Sequence, residues 1–301
     1  MPAPTSGRVR IGISGWSYKG WRGTFYPPKL PHKKELAHAA TLFPSVEING
    51  TFYSMQRPSS FLNWVAETPP NFVFAIKGSR YITHMLKLRN VEQALANFFA
   101  SGPLALGPKL GPILWQFPPN LAFNPEKFEA FFHLLPTTTA SAADLARRHD
   151  ERLTGRAFTE AGRTRRIRHA VEIRHESFRT PAFIQLLRRY NIALVCADTV
   201  DWPLLMDVTS DFVYCRLHGG EVLYTSGYSD ADLDLWATRI AAWARGQDCD
   251  RTHALNTFAH PTPCRPRLTR DVYVYFDNDA KVHAPYDAQN LITRVNTLLA
   301  Q

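Results

Sequence analysis

Eight short apolar runs, each closing on or followed by polar side chains, limit what this chain can fold into more than any other feature. They are Val9–Ser14, Ser45–Gly50, Phe72–Ile76, Leu110–Phe117, Ala170–Phe178, Ile192–Ala197, Phe212–Leu217 and Val272–Phe276. β-Branched and aromatic residues fill them, as strands buried on both faces require. Amphipathic stretches separate most of them. Leu36, Ala39, Ala40 and Phe43 recur at helical spacing, as do Phe128, Phe131, Phe132 and Leu135, or Leu233, Trp236, Ile240 and Trp243. Pro58, Asn124-Pro125, Thr180-Pro181 and Ser229 mark helix starts, and Asn90 with Gln93 has the spacing of a capping box. Strands alternating with helices predict a parallel sheet, and eight of them predict a closed (β/α)8 barrel of the TIM type. One connection, residues 199–210, is too short for a crossover helix.

The chain of 301 residues suits one such domain, running from residue 9 to residue 301. Residues 1–8 read as a disordered tail. Two polar excursions, about 137–168 and about 246–270, read as surface insertions, the first partly helical near Ala142–Leu153.

The strand ends carry the functional signal. In AVEIRHESF, Val171 and Ile173 share one face, Glu172 and Arg174 share the other, and His175 follows. Two charges on a strand fit for burial are costly unless paired or used. Glu47 with Asn49, Lys77, Gln116, Asp198, Arg216 with His218, and Asp277 with Asn278 and Asp279 repeat the pattern. A barrel of this type places its working residues on that rim. Lys77, Arg80, Arg174 and Arg216 form a candidate anion site, since guanidinium forks match phosphate oxygens. The alternative is that each pairs with Glu47, Glu172, Asp198 or Asp277. His218 and His175 are candidate acid–base groups, with Glu172, Asp198 and Asp277 orienting or assisting them. Trp16, Tyr18, Trp21, Tyr53, Trp115, Tyr224 and Tyr228 supply an aromatic rim suited to stacking bases or sugars, or simply to loop packing. Asn49, Gln116 and Asn278 add polar lining.

No metal is assigned. A divalent cation has ligand types available, but no motif such as H-E-x-x-H occurs, and the interspersed Lys and Arg repel a cation. Cys249 with His253 and His260 with Cys264 have some symmetry of a zinc loop, without a finger pattern. The net charge of +9 and pI near 9.5 favour anionic partners, small molecules or nucleic acid. The Arg-rich stretch 147–168 reads as a solvated excursion or a phosphate-backbone track. No apolar run reaches membrane-span length and no protein partner is implied. The N-terminus lacks an apolar leader and four cysteines form no disulfide framework, so a cytoplasmic location is expected.

The runs GISGWSYKGW, FPSVEINGTFY, FAIKGSRYITH, KLGPILWQFPP, VEIRHESF, RLHG, LYTSGYSD, LDLWATRI and VYFDNDA, in this order, resemble the YecE-like family. The resemblance runs from about Ile11 to about Leu299, excursions aside. It implies a TIM barrel and little settled biochemistry. The family's barrel has been likened to metal-dependent apurinic endonucleases and sugar isomerases, which is fold-level analogy.

The expected function is therefore binding of, or action on, a phosphate-bearing substrate at the C-terminal mouth, nucleic acid being the class to test first. A phosphoester hydrolase or lyase fits that reading. A non-catalytic nucleic-acid-binding protein and a metal-dependent sugar hydrolase or isomerase are the alternatives.

Overall fold

A computed structural model of the protein describes residues 6–219, 223–248, 253–255 and 269–301. The eight expected strands form: β1 (Val9–Ser14), β2 (Ser45–Ile48), β3 (Val73–Lys77), β4 (Leu110–Gln116), β5 (His169–Glu172), β6 (Ala193–Asp198), β7 (Phe212–Leu217) and β8 (Asp271–Phe276). All neighbours pair in parallel and β8 pairs with β1, closing a barrel in sequence order. α1 (Glu35–Leu42) follows β1, and α2 (Gly50–Tyr53) and α3 (Pro58–Ala66) follow β2. α4 (Glu92–Ala100) follows β3, and α5 (Pro125–Leu134) and α6 (Thr139–Ala146) follow β4. α7 (Pro181–Tyr190), α8 (Asp230–Ala244) and α9 (His283–Leu299) follow β5, β7 and β8. No helix joins β6 to β7, as the length of that connection requires.

Strand alternation builds two apolar layers. Ile13, Val46, Ile48, Phe74, Ile76, Ile113, Val171 and Cys215 meet the helices in the larger cluster. Ala75, Leu114, Ala170, Val195, Ala197, Tyr214 and Tyr275 form a second cluster inside the barrel. Each polar strand end follows by two residues on the inward row: Glu47 after Ser45, Lys77 after Ala75, Gln116 after Leu114, Glu172 after Ala170, Arg216 after Tyr214 and Asp277 after Tyr275. The site is the last layer of the barrel interior.

The local rules are visible at the helix starts. Asn124 accepts the Lys127 N–H at 2.8 Å with Pro125 at the first helical position. Ser229 and Asp232 close a capping box on α8. The Asn90–Gln93 box does not form: Asn90 takes φ 49°, and Val91 caps α4 without a side-chain bond.

Three expectations are corrected. Of the expected tail, residues 1–5 lie outside the described residues, while Gly7 N–H donates to the Ala244 carbonyl at 2.8 Å and Arg8 N–H to Asp271 Oδ1 at 2.9 Å. The excursion 137–168 is packed, because Ala142, Ala143 and Ala146 give α6 a small-residue face that lies against α4. The helix there is Thr139–Ala146 with a Thr138–Ser141 capping box, earlier than the span expected. In the second excursion Met206 N–H donates to the His253 carbonyl at 3.0 Å, while Cys249, His260 and Cys264 lie outside the described residues. No helix among the described residues is long and apolar enough to cross a membrane.

The strand that delivers Lys77 depends on the glycine after it. A Cβ on Gly78 would stand 2.3 Å from the indole of Trp115, itself fully buried against Phe98, Phe131 and His169. Gly78→Ala should destabilise the fold by about 1–3 kcal/mol, the usual penalty for overpacking. A lowered urea midpoint reads this out, and an unchanged midpoint would show that Trp115 moves freely.

Candidate functional site

Arg216 stands at the centre of the last interior layer, fully buried. Nη1 donates to Glu172 Oε2 at 2.6 Å; Nη2 donates to Asp277 Oδ2 at 2.7 Å and Glu47 Oε1 at 3.0 Å. Ser14 Oγ and Tyr214 Oη both donate to Glu47, the latter at 2.5 Å, and Gln116 Nε2 donates to Glu172 Oε1 at 2.7 Å. Burial opposes charge on Arg216, Glu172 and Asp277, yet the mutual attraction wins. Arg216 is lifted well above its usual range by Asp277, Glu47 and Glu172. Burial alone would raise Glu172, but Arg216 and Arg174 hold it well below the carboxylate range. Asp277 is likewise depressed, by Arg216 and by His218.

The anion reading of Arg216 is therefore corrected: three carboxylates neutralise it, and it organises the site. His218 is fully buried too, its ring edge-on to Trp202 and Tyr224 and its Nδ1 3.2 Å from Asp277 Oδ2. It supports Asp277 from behind.

Above this layer opens a cleft of about 770 Å³. Tyr18, Asn49, Lys77, Arg80, Gln116, Arg174, Tyr224 and Asp277 line it. Arg174 bonds Glu172 Oε1 at 2.9 Å and lies 4.0 Å over the Trp202 ring. Arg80 is exposed and sits 5.6 Å from the Tyr53 ring centre. Lys77 is 7% exposed, 4.5 Å from the Phe52 ring centre, and its amine has no hydrogen bond or ion pair among the described residues. Burial, then Arg216, brings its pKa down to about 8. Asp279, on the same cleft, is raised to about 6 by burial and by Asp277.

Other expected residues do not join. His175 caps the turn Glu176–Phe178, its Nδ1 accepting the Ser177 N–H at 3.1 Å. Asp198 faces away from the barrel interior and accepts the Trp236 indole N–H at 3.0 Å. Trp115 is buried on the helix-facing side of β4, bonded to His169 at 3.1 Å, and Trp16 packs edge-on against Trp64. Trp21 is buried and donates to the Asp279 carbonyl at 3.2 Å. Tyr228 is buried behind the loop after β7, and Asn278 bridges Asp287 Oδ2 and the Ser226 carbonyl at 2.8 and 3.0 Å. Asp198, Trp115, Trp21 and Asn278 are thus each engaged by a hydrogen bond to the protein itself.

Phe52, His84 and Met85 line the cleft and were not assigned from the sequence. His84 arrives on a single π-helical turn, Tyr81–Met85, closed by Leu86 N–H to the Tyr81 carbonyl at 2.9 Å. Burial, then Arg174, lowers its pKa to about 4, so the ring is neutral near neutral pH. The signal available was its place seven residues after Lys77, in an otherwise basic and aromatic run.

The carboxylate arrangement does not fit a metal. Glu47, Glu172 and Asp277 converge on a guanidinium, and no cluster of three metal-binding side chains is arranged for an ion among the described residues.

The chain resembles curated proteins over part of its length. UPF0759 protein YunF of Bacillus subtilis (strain 168) is 32% identical over 116 residues, 37% of this chain and 40% of that protein. UPF0759 protein YecE of Escherichia coli (strain K12) is 29% identical over 128 residues, 42% of this chain and 43% of that one. The matched stretch thus spans about two fifths of each relative. The fold is shared with a DUF72 family protein from Thermotoga maritima MSB8, with a TM-score of 0.71 at 23% identity over 98% of this chain and 100% of that one. A DUF72 family protein from Enterococcus faecalis V583 has a TM-score of 0.68 at 17% identity over 96% and 95% of the two chains. The family model for proteins of unknown function DUF72 matches residues 10–301, and the chain belongs to that family.

Proposed function

We propose that the barrel mouth binds a phosphate-bearing ligand, with nucleotides and single-stranded nucleic acid the class to test first. The observation that carries this is the set of three cations on the cleft, of which Lys77 and Arg80 have no carboxylate partner among the described residues. A cation that lines a cleft without a direct ion pair is available to an anion. Tyr53 and Met85, each 64% exposed, offer a flat apolar surface beside Arg80 on which a base can stack. The groups placed for proton transfer are Asp279 and His84. A metal-dependent mechanism is disfavoured because Arg216 already fills the carboxylate cage.

The test is fluorescence anisotropy with a labelled single-stranded oligonucleotide, and calorimetry with a nucleoside monophosphate. Arg80→Ala/Arg174→Ala should weaken both about tenfold or more, since charge-assisted bonds are worth roughly 1.5–3 kcal/mol each. At constant salt, affinity should fall as pH rises through about 6, where Asp279 ionises, and again through about 8, where Lys77 loses its proton. Binding that the double variant retains in full, or affinity flat across both steps, would sink the reading. A pure nucleic-acid binder would keep its affinity in Asp279→Asn and His84→Ala, whereas an enzyme would lose turnover there.

A further inference from the structure

We propose that Lys77 is a carbonyl-capturing amine, and that the ligand of the mouth is a phosphorylated aldehyde or ketone held as an imine. The phosphate half of this rests on the anion reading above; the amine half stands on its own geometry.

Among the described residues two lysines are buried, and they differ in one respect. Lys109, 6% exposed, donates to the Val65 carbonyl at 2.7 Å, the Thr68 carbonyl at 2.8 Å and Thr68 Oγ1 at 2.9 Å. All three of its protons are placed, as a structural lysine requires. Lys77 is equally buried and places none among the described residues; its amine opens on the cleft with the Phe52 ring as one wall. An ammonium kept in this state is costly unless it is used. Its position at the end of β3, on the row that also carries Ala75, holds the nitrogen on a rigid element. Two groups on the same cleft can manage the protons. His84 sits with its ring 5.1 Å from Phe52, and its Nδ1 is engaged by Thr83 Oγ1 at 2.8 Å. Asp279 lines the same cleft from the segment after β8. A desolvated amine that is partly neutral near pH 8 is the form that attacks carbonyls.

The chemistry balances without a redox partner. The neutral Nζ lone pair attacks the carbonyl carbon, and the C–O π pair moves to oxygen, which takes a proton from solvent. The carbinolamine nitrogen releases a proton to the Asp279 carboxylate, the form present near pH 8, or to neutral His84. Protonation of the hydroxyl then breaks the C–O bond, water leaves, and the nitrogen lone pair forms the C=N bond of a protonated imine. One amine, one carbonyl and one net proton give one iminium ion and one water. Arg80 and Arg174 hold the phosphate of the same molecule.

The experiment treats the full chain with glycolaldehyde phosphate and sodium cyanoborohydride, then locates the reduced adduct by peptide mass mapping. The expected result is one dominant adduct at Lys77, absent from Lys77→Arg and suppressed by inorganic phosphate. Trapping should accelerate as pH rises toward about 8, opposite in sign to phosphate binding. Arg80→Ala should slow trapping of glycolaldehyde phosphate about tenfold and leave that of glycolaldehyde unchanged, as loss of one charge-assisted contact predicts. An adduct spread over surface lysines, with phosphate still binding at the mouth, overturns the imine and leaves the anion reading intact. Equal trapping of both aldehydes at Lys77, without phosphate protection, supports the amine and overturns the anion reading. Mapping of the wild-type protein decides between these even if Lys77→Arg folds poorly.

Discussion

Arg216→Leu should melt far below the wild-type protein or fail to accumulate. The substitution removes the one guanidinium that Glu47, Glu172 and Asp277 share, and leaves three carboxylates facing each other in a closed layer. Removing one partner of a buried ion pair costs about 3–5 kcal/mol, because the other charge stays buried and uncompensated. With roughly 2 °C per kcal/mol in a domain of this size, the melting temperature should fall by roughly 6–10 °C or more. Arg216→Lys keeps the charge and loses the fork, so it should fall between the two. The cause is testable by suppression. Adding Glu47→Gln and Glu172→Gln to Arg216→Leu should recover stability, although each change alone would weaken the native cage. Thermal melts and urea titrations of the four proteins read this out. An Arg216→Leu protein that melts with the wild type would mean the cage contributes nothing to folding.

That cage also explains how far the sequence could be read. The strands and most helices were legible because their periodicities are local: Leu233, Trp236, Ile240 and Trp243 announce α8, and Ser229 announces its start. The inward row was legible for the same reason, since alternation alone places Glu172 with Arg174 and Arg216 with His218. What alternation cannot say is whether opposite charges on eight strands meet across the axis. Arg216 looked like a ligand contact and is instead neutralised, because its partners come from β2, β5 and just beyond β8, far away in sequence. Asp198 and Asn278 show the complementary error. Each sits at a strand end but on the row that faces the helices, where Trp236 and Asp287 claim it. His84 was overlooked because a five-residue π turn carries no periodic pattern. The alanine-rich face of α6 was read as surface because small residues carry little apolar signal until a neighbouring helix is known.

Lys77→Met should make the protein more stable at neutral pH, which is the reverse of what core substitutions usually do. The folded-state pKa of Lys77, about 8, lies below its ordinary 10.5, so the unfolded chain binds the proton more tightly. The sign follows from linkage: stability rises with pH between about 8 and 10.5, and the penalty is fully present below 8. A depression of this size corresponds to about 3 kcal/mol at full effect. The methionine removes the charge and keeps an unbranched side chain against Phe52. Its urea midpoint should therefore exceed that of the wild type at pH 7 and converge with it near pH 10. A variant less stable than the wild type at pH 7 would show that Lys77 is held by contacts stronger than its desolvation. The same penalty links stability to function. A phosphate that enters the mouth supplies the direct ion-pair partner Lys77 lacks, so inorganic phosphate should raise the wild-type midpoint at pH 7 by more than that of Lys77→Met, which keeps Arg80 and Arg174. A group that destabilises the empty barrel and is relieved by an anion accounts at once for the unpaired amine, the neutralised Arg216 beneath it and the open cations at the rim.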